Sequence, residues 1–147
     1  MNDPVAGIMG GIAGHAGLFG NANDLGKLMH MYLNKGYYGG KRYFKPKTIE
    51  YFTSRPFQKK GNRRGIGFDK PEPDTTKQSP VSSFCSDKSY GHTGFTGVMT
   101  WVDPEYNLVY VFLSNRTYPF SSNNKLVEMN IRTKIQDIIY EAILKNK

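Results

Sequence analysis

The run Tyr90-Gly91-His92-Thr93-Gly94-Phe95-Thr96-Gly97 gathers an imidazole, two threonine hydroxyls, a phenol and three glycines into one short stretch. Residues of these types serve acyl transfer. That chemistry needs N–H donors where negative charge develops on a carbonyl oxygen. A strand edge holds a backbone N–H at a fixed place, and a glycine beside it lets substrate lie against the backbone. His92 and Thr93 are the side chains best placed to take part. An imidazole is largely neutral near pH 7, about half a unit above its ordinary pKa. The competing reading of His92 is a hydrogen-bonded histidine at the end of a strand.

Other chemistries find less support. His15 lies in a glycine-rich loop and His30 on a helix, without the further ligands a metal site needs. Cys85 is the lone cysteine, so the chain has no intrachain disulfide, and no base is placed to activate the thiol. The glycines from Gly7 to Gly20 fit neither a P-loop nor a dinucleotide fingerprint. They read as a tight loop in which backbone passes close to backbone. No cofactor is expected.

Elements must position the central run. Asn21 is a helix N-cap with Asp24 three residues on, and Leu25, Leu28, Met29 and Tyr32 recur on one apolar face. Gly36 stops that helix. A shorter helix starts at Pro46, with Ile49 and Phe52 inward. Arg64 to Phe68 reads as a short strand, and Asp69 to Ser89 as a long loop. Thr96–Val102 and Leu108–Leu113 read as an antiparallel hairpin about the turn Asp103–Asn107. The second of these strands is apolar without alternation, which predicts burial on both faces between helices. A last helix spans about 123–144, with Ile131, Ile135, Ile138, Ile139, Ala142 and Ile143 on one face. These elements predict an α+β architecture, an antiparallel β-sheet with helices packed on it.

The chain has 147 residues, enough for one domain, and a formal net charge of +8. The charge is dispersed. Its densest cluster, Lys59, Lys60, Arg63 and Arg64, reads as a solvated loop, and no nucleic-acid module accompanies it. No apolar run approaches a membrane span. Neither nucleic acid nor a bilayer core is expected as a partner.

Taken in order, the segments resemble the class C-related family of serine β-lactamases, penicillin-binding proteins and esterases. Tyr90–Gly97 resembles its third signature, Lys-Thr-Gly in most members, here as His-Thr-Gly. Gly17-Leu18-Phe19, Ala22 and Asp24-Leu25 resemble the start of a family helix. Gly67-Phe68-Asp69 is similar to the Gly-aromatic-Asp stretch before a variable loop. Trp101-Val102-Asp103-Pro104-Glu105 resembles a family hairpin turn, and Ser114-Asn115-Arg116-Thr117-Tyr118-Pro119 the stretch leaving the next strand. The matches cover nearly the whole chain. They imply part of a β-lactamase/transpeptidase-like fold. The backbone N–H of Phe95 would be an oxyanion donor, and Thr93 would bind substrate or organise the site. Gly94 and Thr96 would lie beside the substrate. His92 stands where most relatives carry Lys, which weakens attraction for an anionic substrate.

In the family the Ser-x-x-Lys nucleophile and the Tyr-x-Asn or Ser-x-Asn loop precede the matched region. Residues 1–147 are therefore expected to be a C-terminal fragment, inactive alone. Its partner would be the N-terminal half of the same domain, and its uncovered apolar surface would favour self-association. Ser122-Asn123-Asn124-Lys125 and Tyr32-Leu33-Asn34 match those motifs in form only. Ser122 reads as a helix cap and Tyr32 as core. Phe120 and Asn123 replace the Asn and Arg with which antibiotic-hydrolysing relatives contact a carboxylate, which leaves an esterase, a peptidase of cell-wall fragments or a degenerate domain. The run 118–126 and the helix at 131–137 are similar to domains fused behind β-N-acetylglucosaminidase modules in bacteria, which implies a periplasmic or extracellular place. The alternative is a non-catalytic peptide- or glycan-binding accessory domain of a larger cell-wall or glycoside hydrolase.

Overall fold

The computed structural model describes residues 4–146. In chain order the elements are α1 (Pro4–Ile8), α2 (Ala22–Leu33), the small hairpin β1 (Tyr37–Tyr38) and β2 (Lys41–Arg42), and α3 (Pro46–Thr53). Then come a single 3-10 turn (Gln58–Lys60), β3 (Tyr90–Thr93), β4 (Met99–Asp103), β5 (Leu108–Phe112), α4 (Lys125–Glu128) and α5 (Ile131–Lys145). β3, β4 and β5 form an antiparallel sheet in that order.

The sheet lies between helices. On one face Tyr90 and Val102 pack with Met29 of α2, joined by Tyr32, Leu33, Phe68 and Val109. The Phe68 ring meets Tyr32 and Tyr90 edge-on, each at 5.2 Å between ring centres. On the other face Met99, Trp101 and Tyr110 pack with Val81, and Ile135 and Ile139 of α5 close over them. The period-2 alternation of β4 thus serves two cores.

α2 begins as its sequence dictates. The Asn21 carboxamide oxygen accepts from the Asp24 N–H at 2.9 Å, and its NH2 donates to the Asp24 carboxylate at 2.8 Å. Gly36, at φ +88°, follows the helix end and returns its N–H to the Met31 carbonyl. Pro46 opens α3 and Ile49 is buried, but Phe52 faces outward, 42% exposed. In the glycine-rich loop, a Cβ on Gly17 would overlap the Gly11 carbonyl oxygen, the close backbone approach its composition suggests.

Several elements differ from the sequence reading. Residues 64–68 form a turn instead of a strand: Gly67 takes φ +76°, and Gly65 N–H donates to Phe68 C=O at 3.0 Å. The first long strand begins at Met99, because 94–97 form a turn of their own. β5 buries only Tyr110 fully, because as an edge strand it has one hydrogen-bonded neighbour. The last helix is two helices, broken where Asn130 adopts φ +53°, a left-handed conformation that Asn tolerates.

The inward face of α5 is also rotated from the isoleucine stripe. Thr133, Gln136 and Tyr140 are its buried residues, whereas Ile138 is 67% exposed and Ala142 faces out. Polar bonds fix this rotation. Tyr140 OH donates to Asp103 at 2.8 Å, and Gln136 accepts from Ser82 N–H at 3.1 Å. Ser122 caps nothing; the Asn123 carboxamide accepts from Lys125 N–H at 3.2 Å.

The stretch from Gly61 to Ser89 has no helix or strand and is held by side chains. Arg55 donates to the carbonyls of Arg63 and Pro71 and pairs with Asp87. Arg63 pairs with Asp69 and Glu72. These arginines satisfy carbonyls that a sheet would otherwise take. Arg63 is therefore part of the protein's internal framework and not a solvated charge.

Candidate active site

β3 and β4 are a tight hairpin with Tyr90 opposite Val102 and Thr93 opposite Met99. The link is closed by Gly94 N–H to Val98 C=O at 2.9 Å and Gly97 N–H to Gly94 C=O at 3.0 Å. Phe95 and Thr96 occupy its tip. The glycines have packing reasons. A Cβ on Gly91 would overlap the Thr100 carbonyl and the Trp101 ring, and one on Gly94 would press into Val98. The missing Gly94 side chain therefore lets the turn close, in addition to whatever it allows a substrate.

The tip is held from behind. Arg116 N–H and Ser114 Oγ both donate to Thr96 C=O, at 3.0 and 3.1 Å. The Arg116 guanidinium lies over the Phe95 ring, 4.7 Å from its centre. Arg132 reaches the carbonyls of Gly97 and Val98 at 3.3 Å each. Among the described residues, no group accepts from the Phe95 N–H, and the hydroxyls of Thr93 and Thr96 make no hydrogen bond. One end of one hairpin thus presents three polar groups without protein partners.

His92 is exposed on β3 and touches Arg64, whose guanidinium Nη2 lies 2.6 Å from His92 Nε2. Guanidinium is only a donor, so Nε2 accepts. The other ring nitrogen, Nδ1, then carries the proton and donates to Thr93 C=O at 2.7 Å. This is the neutral tautomer. Arg64 also approaches Asp69 at 3.9 Å, and the Asp69–Gly91 bridge sets that residue beside β3. The sequence placed Arg64 in a solvated cluster and missed it. Only its place just ahead of Gly67-Phe68-Asp69 hinted at the contact.

The other candidates stay apart. Tyr32 packs against Phe68, and Asn34 binds His30 at 3.0 Å. Ser122 is exposed. His15 accepts from the next backbone N–H. Among the described residues, no group of three or more His, Cys, Asp or Glu could hold a metal ion.

The sequence profile of the Beta-lactamase family matches residues 1–129, and the chain belongs to that family. It is 37% identical over 110 residues to a protein of Escherichia coli K12 named "Putative D-alanyl-D-alanine carboxypeptidase", covering 75% of this chain and 25% of that protein. A protein of Salmonella gallinarum with the same name is 36% identical over 118 residues, covering 80% of this chain and 27% of that one. The chain thus spans about a quarter of the length of these curated relatives. A solved structure described as "putative beta-lactamase from Bacteroides dorei DSM 17855" overlaps it with a TM-score of 0.45 at 16% identity, covering 82% of this chain and 42% of that one.

Proposed function

We propose that this chain forms one wall of a serine acyl-transfer site in a carboxypeptidase-like hydrolase, with the nucleophile supplied by polypeptide outside residues 1–147. The unpartnered Phe95 N–H, Thr93 hydroxyl and Thr96 hydroxyl at one hairpin tip carry this reading. A serine oxygen bonds to the substrate carbonyl carbon, and the carbonyl oxygen becomes an oxyanion that the Phe95 N–H stabilises. The C–N bond then breaks and the amine leaves with a proton. Water hydrolyses the resulting ester and frees the serine. Thr93 and Thr96 offer hydroxyls to the substrate backbone.

Arg64 supplies the cation that His92 does not. A fixed guanidinium beside His92, on the strand that carries Thr93, suits a substrate ending in a free carboxylate, such as a peptide with a C-terminal D-alanine. Such a substrate belongs to the bacterial cell wall and places the protein outside the cytoplasm. No described helix is long and apolar enough to cross a membrane. The rest of the domain would cover the exposed Ile8, Met9, Ile12, Leu18, Phe19 and Ile138.

The test is hydrolysis of a D-alanyl-D-alanine peptide and a chromogenic short-chain ester by the complete polypeptide, with and without Thr93→Ala combined with His92→Ala. The double variant should lose most activity on both. Full activity in that variant would remove this wall from the reaction. Tight peptide binding without turnover in the unaltered polypeptide would make it a recognition domain instead.

A further inference from the structure

A cavity of about 520 Å³ lies at the other end of β3. Tyr32 and Leu33 of α2, Ile49 of α3, Tyr90 of β3 and Pro104 of the β4–β5 turn give it apolar walls. Lys70 also lines it and is only 4% exposed. The Lys70 ammonium donates to Lys88 C=O at 3.2 Å and lies 5.9 Å from the centre of the Tyr90 ring.

An ammonium has three N–H donors. Among the described residues no carboxylate pairs with this one. The two other lysines at the cavity are paired, Lys35 with Glu50 at 2.8 Å and Lys88 with Glu105 at 3.6 Å. The lining therefore carries one positive charge in excess, on a buried group with donor capacity left over. Leaving such a charge without an acceptor is costly, and an anion relieves it.

We infer that this cavity binds a small monoanion, a carboxylate on an apolar body, with Lys70 as its anchor. The carboxylate would take the remaining Lys70 N–H groups, and the body would cover Tyr32, Leu33 and Ile49. A dianion fits less well, because Glu50 and Glu105 stand at the same walls. The volume falls in the range of small-molecule sites, about 300–1,000 Å³. The cavity is apart from the hairpin tip, so it goes beyond the acyl-transfer reading and does not depend on it.

Protonation gives the site a signature. Burial, then the charge of Arg55, pushes Lys70 down to about 8, while Asp87, Cys85 and Asp103 pull the other way. Lys70 is thus mostly charged near neutral pH and mostly neutral well above about 8. Lys35, Lys88, Glu50 and Glu105 also face the cavity.

Calorimetric titration of the complete polypeptide with 4-phenylbutyrate, and with its neutral amide, tests the site at about pH 6.5 and about pH 9.5. The acid should bind at least about tenfold tighter than the amide at the lower pH. That advantage should vanish at the higher pH and in Lys70→Met, while Thr93→Ala leaves it intact. Equal affinity of acid and amide at low pH, no binding of the acid at millimolar concentration, or an advantage kept by a folded Lys70→Met would overturn the inference. If Lys70→Met fails to fold by circular dichroism, the pH comparison on the unaltered polypeptide decides.

Discussion

The guanidinium of Arg64 and the imidazole of His92 meet at 2.6 Å, across a gap of 28 residues in sequence. The contact fixes His92 as a neutral acceptor and leaves Arg64 as a permanent charge beside the His92 ring. On the proposed acyl-transfer reading, Arg64→Ala in the complete polypeptide should lower kcat/KM for peptides with a free terminal carboxylate by about 10- to 100-fold, mostly through KM. A neutral ester should be nearly unaffected. Arg64→Lys should recover part of the loss, since a lysine keeps the charge but not the planar fork. Equal losses on ester and peptide would mean that Arg64 only holds the hairpin.

Phe95 permits a cleaner separation of backbone from side chain. It is the second residue of the turn closed by Gly97 N–H and Gly94 C=O. Proline is tolerated at that position of a turn, and it has no N–H. Phe95→Pro should therefore preserve the fold and, on the proposed reading, lower kcat of the complete polypeptide by about 10²–10³. Phe95→Ala keeps the N–H and loses only the ring over Arg116, so its kcat should stay within a few fold. Steady-state kinetics on one ester, with thermal melts of both variants, checks the pair. Matching losses in the two would assign the effect to the ring.

The helix starts were legible because capping is local: Asn21 with Asp24, and Pro46, act within one turn. The sandwich was legible because the apolar run of β5 has two faces to cover. The break at Asn130 was not, since an unbroken helix satisfies the same isoleucine spacing. The rotation of α5 was hidden for a related reason. Tyr140 and Gln136 are polar enough to read as outward, but their partners Asp103 and Ser82 are 37 and 54 residues away. The His-Thr-Gly run stood out in the sequence by its residue types. Its placement on a separate short strand, and its contact with Arg64, depend on a loop held by Arg55 and Arg63 that has no periodic signal.

Cys85 should be a poor nucleophile. Burial pushes its thiol up to about 11, and nearby Asp103 and Asp87 act in the same direction, opposed by Ser89 and Lys70. At about pH 8 its alkylation by iodoacetamide should run roughly 100-fold slower than that of a free thiol peptide. The native state holds this proton more tightly than the unfolded chain does. The contribution to stability is thus complete below about pH 9 and is lost as the pH climbs towards 11. Labelling followed by mass spectrometry measures the first effect, and urea melts across that interval the second. Labelling at the rate of the free peptide would contradict the buried setting.

Asp103 ends β4 and is 1% exposed. Its carboxylate accepts from Ser86 N–H at 2.8 Å, Ser86 Oγ at 2.6 Å, Glu105 N–H at 3.0 Å and Tyr140 OH at 2.8 Å. Those donors come from the long loop, the β4–β5 turn and α5, so one side chain ties together the segments behind the sheet. Asp103→Ala strands them all in a dry interior and should cost about 3–5 kcal/mol. Asp103→Asn keeps the shape but turns one acceptor into a donor facing donors, so its cost should be smaller, about 1–3 kcal/mol. Tyr140→Phe removes a single partner and should cost about 1 kcal/mol. Urea melts of the three variants give the order. A loss for Asp103→Ala no larger than that for Tyr140→Phe would show that the loop and the turn hold their places without it.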